Sequence, residues 1–131
     1  MNTSRSASRI TTLLKALTLS TALLVSGGVF AHAHLVSASP AADSHVPSPG
    51  RIELTFNEAL TPRASRVTLS KVNADKSLTP VEHLKIELAG DNKVLRATPS
   101  HKLAPGSYKV EWRAVGGDNH PMTGDYQFMI H

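Results

Sequence analysis

Alternation of apolar and polar side chains with a period of two residues is the feature that most restricts the fold of this chain. Glycine, proline, asparagine and aspartate are frequent between the alternating segments, and no window after residue 31 has helical periodicity. Regularly spaced strands of this kind are typical of an all-β antiparallel sandwich or barrel. The predicted strands are RIELTFN (51–57), RVTLS (66–70), HLKIELA (83–89), YKVEWRAV (108–115), DYQFMIH (125–131) and, more weakly, NKVLRAT (92–98).

The segment LAPGSY (103–108) refines this prediction of fold class. Its Leu, Pro and Tyr have the spacing of a tyrosine corner, in which a Tyr hydroxyl donates to upstream backbone. The simpler interpretation is a Pro-Gly turn that precedes a strand. Both interpretations favour a small immunoglobulin-like antiparallel β-sandwich or Greek-key barrel, in which we expect Trp112 to belong to the core.

The first 31 residues have the layout of a secretory signal peptide. Three basic residues and no acid come before the apolar stretch ALTLSTALLV (16–25), and small residues follow it. The stretch is shorter than the roughly 20 apolar residues that a spanning helix needs. We therefore expect residues 1–31 to be removed and residues 32–131 to be a periplasmic domain that is not embedded in the membrane.

Cleavage after Ala31 (VFA) or after Ala33 (AHA) would leave a histidine, His32 or His34, as the first residue. The freed amine has a pKa of only about 8, so it can bind a metal beside its own imidazole. A peptide nitrogen at the same position is a poor ligand. Export itself would therefore create a chelating terminus.

The charge balance argues against nucleic acid as a partner. Three of the 14 Lys and Arg residues lie in residues 1–31, which leaves 11 against 10 acidic residues in the remainder of the chain. A nearly neutral domain without a basic block has no electrostatic footprint for nucleic acid. The chain has no cysteine, which excludes disulfides and thiolate metal sites.

The segment GGDNHPMTG (116–124) contains the second half of a candidate metal site. If the segment is extended, Asp118 and His120 point to the same side, about 7 Å apart at the backbone, and can approach one ion. An isolated D-x-H is a weak signal, but an N-terminal histidine strengthens it. The remaining histidines are interpreted as surface residues: His45, His83, His101 and His131.

Amine, imidazole and carboxylate donors favour Cu(II), which leads the affinity order of divalent first-row ions. Zinc accepts similar ligands. A local mode competes with the long-range site if the exported chain begins His32-Ala33-His34. Its ligands are the amine, two deprotonated amides and the His34 imidazole, and it needs neither Asp118 nor His120.

Several motifs resemble the CopC family of periplasmic copper-binding proteins. They are the histidine before LVSASP, the strand end LTFNEAL and the segment YKVEWRAVGGDNHPMTG. The resemblance covers 32–131 and implies a small β-barrel or sandwich that takes part in copper resistance or uptake, beside an inner-membrane CopD-type protein. It implies one Cu(II) ion per chain, bound by the amine and imidazole of His32 and by Asp118 and His120. Glu58 is an additional candidate, and its distance from His32 in the sequence favours cleavage after Ala31.

One segment departs from the family. Some members bind Cu(I) through a methionine-rich loop, but residues 70–84 contain no methionine. Soft thioether donors are what Cu(I) requires, so we expect no Cu(I) site there and no such role for His83. The predicted function is copper sequestration or transport and not catalysis. The two alternatives are a histidine-brace copper oxidase and a metal-free immunoglobulin-like interaction module.

Overall fold

Two β-sheets make up the part of the chain that the computed structural model describes, residues 32–131, and this part contains no helix. The predicted signal peptide lies outside the described residues. The all-β sandwich predicted from the alternation is confirmed. The nine strands are β1 (Leu35–Ser39), β2 (His45–Val46), β3 (Ile52–Phe56), β4 (Arg66–Val72), β5 (Leu78–Pro80), β6 (Leu84–Ala89), β7 (Val94–Pro99), β8 (Gly106–Val115) and β9 (Pro121–Ile130).

The strand order is β1-β3-β7-β6 in the four-stranded sheet and β2-β9-β8-β4-β5 in the five-stranded sheet. Neighbouring strands are antiparallel except β2 and β9, which are parallel. This pairing is the one exception, among the described strands, to the predicted antiparallel arrangement. It arises because the chain leaves the edge of the first sheet after β1 and joins the edge of the second sheet beside β9.

The alternating apolar residues meet between the sheets and form one core. Ile52, Leu54 and Phe56 of β3 are at most 2% exposed, and Val110 of β8 is fully buried. The Trp112 ring lies edge-on to the Phe56 ring, with centroids 5.2 Å apart, and packs against the buried cluster. Trp112 therefore packs against the core as expected, although it is only half-buried itself.

The tyrosine corner is present. The Tyr108 hydroxyl donates to the Ala104 carbonyl at 2.8 Å, and Leu103 beside it is buried. The Leu103 N–H in turn donates to Ser48 Oγ at 3.1 Å. LAPGSY is thus more than a turn, because it also joins the segment before β8 to the loop after β2.

The strands that the alternation missed lie at the edges of the sheets. β1, β2 and β5 are the edge strands concerned, and their side chains do not alternate between buried and exposed. Ile86 alternates with Leu84 and Leu88 in the predicted strand 83–89, but it is 39% exposed because β6 is also an edge strand. β9 begins at Pro121, four residues earlier than predicted.

Candidate metal centre

The first described residues, 32–34, form an N-terminal arm that precedes β1. Ala33 is completely buried and belongs to the core cluster, whereas His32 and His34 on either side of it are exposed. β1 then pairs with β3, and its first bridge joins Leu35 to Phe56. The arm is therefore attached to the end of the four-stranded sheet.

Asp118 and His120 lie in the tight connection between β8 and β9. The Asn119 N–H donates to the Gly116 carbonyl at 3.2 Å, and Asn119 has a positive φ of 64°. The backbone N–H of His120 donates to Asp118 Oδ1 at 3.1 Å. The segment is a turn and not the extended strand assumed from the sequence. The turn, and not an i, i+2 alternation, brings the two side chains together.

The arm and the turn meet at one end of the sandwich. Asp118 Oδ2 lies 2.6 Å from His32 Nδ1 and 3.6 Å from His120 Nδ1. The two imidazole rings are nearly perpendicular, with centroids 5.2 Å apart. One ligand atom from each of the three residues lies within 4.8 Å of the other two. The side chains thus converge on a volume that a single ion can occupy.

The carboxylate of this group is buried, whereas its two imidazoles are exposed to solvent. The Asp118 side chain is 5% exposed, whereas those of His32 and His120 are 53% and 70% exposed. The hydrogen bond from the His120 N–H holds the pKa of Asp118 below its usual range, against the opposing effect of burial, and His32 lowers it further. The site therefore presents a carboxylate anion to two nitrogen donors that solvent can reach.

Glu58 lies behind the turn. Its Oε1 is buried and has no hydrogen-bond partner among the described residues. A Cβ added at Gly116 would lie 1.7 Å from Glu58 Oε1, so a side chain at this position would require the Glu58 carboxyl group to move. Glu58 is outside the group of three ligand residues, but an unpartnered buried oxygen is unfavourable unless a hydrogen-bond donor or a cation compensates it.

The other histidines do not join the group. His34 has its backbone N–H bonded to Asn57 Oδ1 at 2.7 Å, and its imidazole is not among the converging ligand atoms. The four histidines interpreted as surface residues are exposed: His45, His83, His101 and His131. Sequence reasoning did not identify Asn57, because one asparagine at a strand end carries no pattern of its own.

The donors present fit a borderline divalent ion. Two imidazole nitrogens and one carboxylate oxygen are the ligand types that Cu(II) and Zn(II) accept. Structural zinc sites are almost always four-coordinate, so three protein side chains leave a position open for another donor.

The described residues contain no helix that is long and apolar enough to cross a membrane.

This chain is similar to several proteins that are named for copper resistance or copper transport. Copper resistance protein C of Escherichia coli is 38% identical over 113 residues, which span 82% of this chain and 90% of that protein. The crystal structure of PcoC, a methionine-rich copper resistance protein from Escherichia coli, superposes with a TM-score of 0.71 at 39% identity. The superposition covers 77% of this chain and 100% of the PcoC chain. The copper transport protein CutJ of Bacillus subtilis is 33% identical over 103 residues, which are 77% of this chain but only 18% of CutJ.

The family model of the CopC domain matches residues 35–131, which is most of the chain and nearly all of the described part. The motifs that suggested the resemblance all lie in or directly before this range. The chain belongs to the CopC domain family.

Proposed function

We propose that this protein binds one Cu(II) ion in the periplasm through His32, Asp118 and His120, and that it sequesters or carries the ion. One observation carries the proposal: ligand atoms from residues 86 positions apart lie within 4.8 Å of one another. The CopC family and the copper resistance proteins among the relatives support copper as the cargo.

Export would complete the ligand set. If a signal peptidase cuts after Ala31, the His32 amine becomes available beside the His32 imidazole. The four donors are then three nitrogens and one oxygen, a set that suits Cu(II) in tetragonal geometry. Zn(II) is the competing ion, but it stands below Cu(II) in the affinity order.

Glu58 takes an auxiliary role in this proposal. Its unpartnered Oε1 lies against Gly116, two residues before Asp118. A cation bound in front of the turn would compensate the charge of this buried oxygen. We therefore assign Glu58 to the stabilisation of the loaded site and not to its primary ligands.

The similarity to CutJ supports a copper transporter as the partner of this chain. A segment similar to this chain makes up 18% of that longer copper transport protein. A domain that occurs within a transporter in one protein and as a separate chain in another is expected to act on the same cargo. We propose that this chain exchanges copper with an inner-membrane CopD-type transporter.

The test compares two forms of the domain that differ by one residue. One form begins at His32 and the other retains Ala31, so that in the second form the His32 nitrogen is an amide. Cu(II) titration against a competing chelator should give one ion per chain for the first form, and at least tenfold weaker binding for the second. Intact mass spectrometry of the exported protein identifies which terminus the cell produces. Equal affinities for the two forms would refute the assignment of the His32 amine.

A further inference from the structure

Asn57, the first residue after β3, holds the N-terminal arm in place. Its Oδ1 accepts the His34 N–H at 2.7 Å, and its own backbone N–H donates to the His34 carbonyl at 3.2 Å. Its Nδ2 makes a longer contact of 3.5 Å with the His32 carbonyl. The backbone of His34 is therefore bonded on both its donor and its acceptor by a single residue.

The orientation of the Asn57 amide follows from these partners. A backbone N–H can only donate, so the atom 2.7 Å from it must be the amide oxygen. The nitrogen then points to the His32 carbonyl, which can only accept. The side chain continues the ladder between β1 and β3 by one step beyond the pair of Leu35 and Phe56.

Ala33 fixes the arm from the opposite side. Its side chain is completely buried in the core cluster, so the arm cannot be displaced without exposing the methyl group and opening the space around it. Held by Ala33 and Asn57, the arm carries the His32 imidazole to 2.6 Å from Asp118. The ligand group is thus organised by contacts that do not involve the metal.

The same contacts oppose the local binding mode of residues 32–34. In that mode the amide nitrogen of His34 loses its proton and binds copper. Here that nitrogen donates its hydrogen to Asn57 Oδ1. Local binding would therefore break this hydrogen bond and pull the segment around the buried Ala33 into a chelate ring.

We infer that Asn57 is a positioning residue that selects between the two Cu(II) modes, a role that rests on the proposed function of the site. With Asn57 present, the His34 N–H is bonded to Asn57 Oδ1, and copper binds at the site formed by His32, Asp118 and His120. Without Asn57, the arm is free to bind copper through its own amides and the His34 imidazole.

The first measurement uses the copper-free domain that begins at His32. Asn57→Ala should increase hydrogen exchange of the His34 amide by about tenfold, the equivalent of one hydrogen bond of about 1.4 kcal/mol. Asn57→Asp keeps an oxygen acceptor for this N–H and should retain most of the protection. Asn73→Ala is the matched control, because Asn73 also makes side-chain hydrogen bonds, to Ser77 and Thr79, in a turn between β4 and β5.

The second measurement identifies the copper ligands by electron paramagnetic resonance and visible absorption. Deprotonated amides are stronger-field ligands than carboxylate, so a change to the local mode moves the absorption to shorter wavelength. We expect this shift in Asn57→Ala and not in Asn57→Asp or Asn73→Ala. In the Asn57→Ala background, His34→Ala should become the damaging second substitution and His120→Ala should lose its effect.

Two different failures are distinguishable. If His34→Ala already abolishes binding in the otherwise unaltered domain and His120→Ala does not, the proposed site itself is wrong. Suppose instead that Cu(II) binding by the unaltered domain depends on His120. If the Asn57→Ala variant then has the same copper spectrum, the same dependence on His120 and the same slow exchange of the His34 amide, only the role of Asn57 is wrong. A thermal melt of each variant confirms that it is folded.

Discussion

Copper held by the three-residue site should stabilise the whole fold, because it joins the two sheets. The arm with His32 is attached to β3 of one sheet, whereas the turn with Asp118 joins β8 and β9 of the other. In the unfolded chain, the same coordination must close a loop between residues that are 86 positions apart. By the entropy relation for cross-links this closure costs about 4.6 kcal/mol, so the unfolded chain binds more than a thousandfold more weakly.

The size of the effect follows from this difference in affinity. A ligand that binds only the folded state stabilises it by about 2.7 kcal/mol at a hundredfold excess over Kd. For a domain of about 100 residues, this corresponds to a rise in Tm of roughly 10 °C or more. Copper held locally by residues 32–34 closes no long loop, and in the folded chain it must first break the hydrogen bond between the His34 N–H and Asn57 Oδ1. The local mode therefore binds the folded chain no more tightly than the unfolded chain and predicts no rise in Tm.

Calorimetry of three proteins decides between the modes: the domain that begins at His32, its His120→Ala variant and its His34→Ala variant. Each is melted without copper and at equal ratios of Cu(II) to the Kd of the unaltered domain. We expect the rise in Tm to be lost in His120→Ala and kept in His34→Ala. The absence of a rise in the unaltered domain, or a rise that survives in His120→Ala, would refute the long-range site.

Two further predictions concern the copper-free domain. Gly124→Ala should destabilise it by about 1–3 kcal/mol in denaturant unfolding, because the new Cβ would lie 2.4 Å from Trp112 Cζ2 and overpack the core. Gly117→Ala, where no described atom lies within 4 Å, is the control, and equal losses in both would contradict this reason. Asp118→Asn should lower the Tm near pH 7, since the lowered pKa of Asp118 shows that the fold favours its carboxylate. This difference should be present above about pH 4 and vanish as the pH falls through the lowered pKa; a difference that does not change with pH would contradict it.

The sequence alone determined the sheet class and most of the core. Period-two alternation depends only on neighbouring residues along one strand, and β3, β4, β8 and the C-terminal part of β9 each follow it. The tyrosine corner was similarly readable, because its donor and acceptor are only four residues apart. The sequence also identified His32, Asp118 and His120 as ligand candidates, and the structure brings them together; that they bind Cu(II) stays a prediction.

The edge strands and the packing behind the site were decided by tertiary structure. β2 has two residues, and its parallel pairing with β9 depends on where the chain crosses between sheets. Glu58 lies against Gly116, 58 positions away in the sequence, because the segment after β3 packs against the end of β8, where the Thr61 N–H donates to the Val115 carbonyl. No local pattern encodes either contact, since each exists only once both sheets have assembled.

The position of the arm depends most strongly on the tertiary structure. In the sequence, residues 32–34 offer a local chelate and a long-range site on equal terms. The folded chain buries Ala33 and engages the His34 amide with Asn57, 23 residues away. A burial site for one methyl group and an acceptor for one N–H are supplied by other strands, so only the assembled sandwich can favour one binding mode over the other.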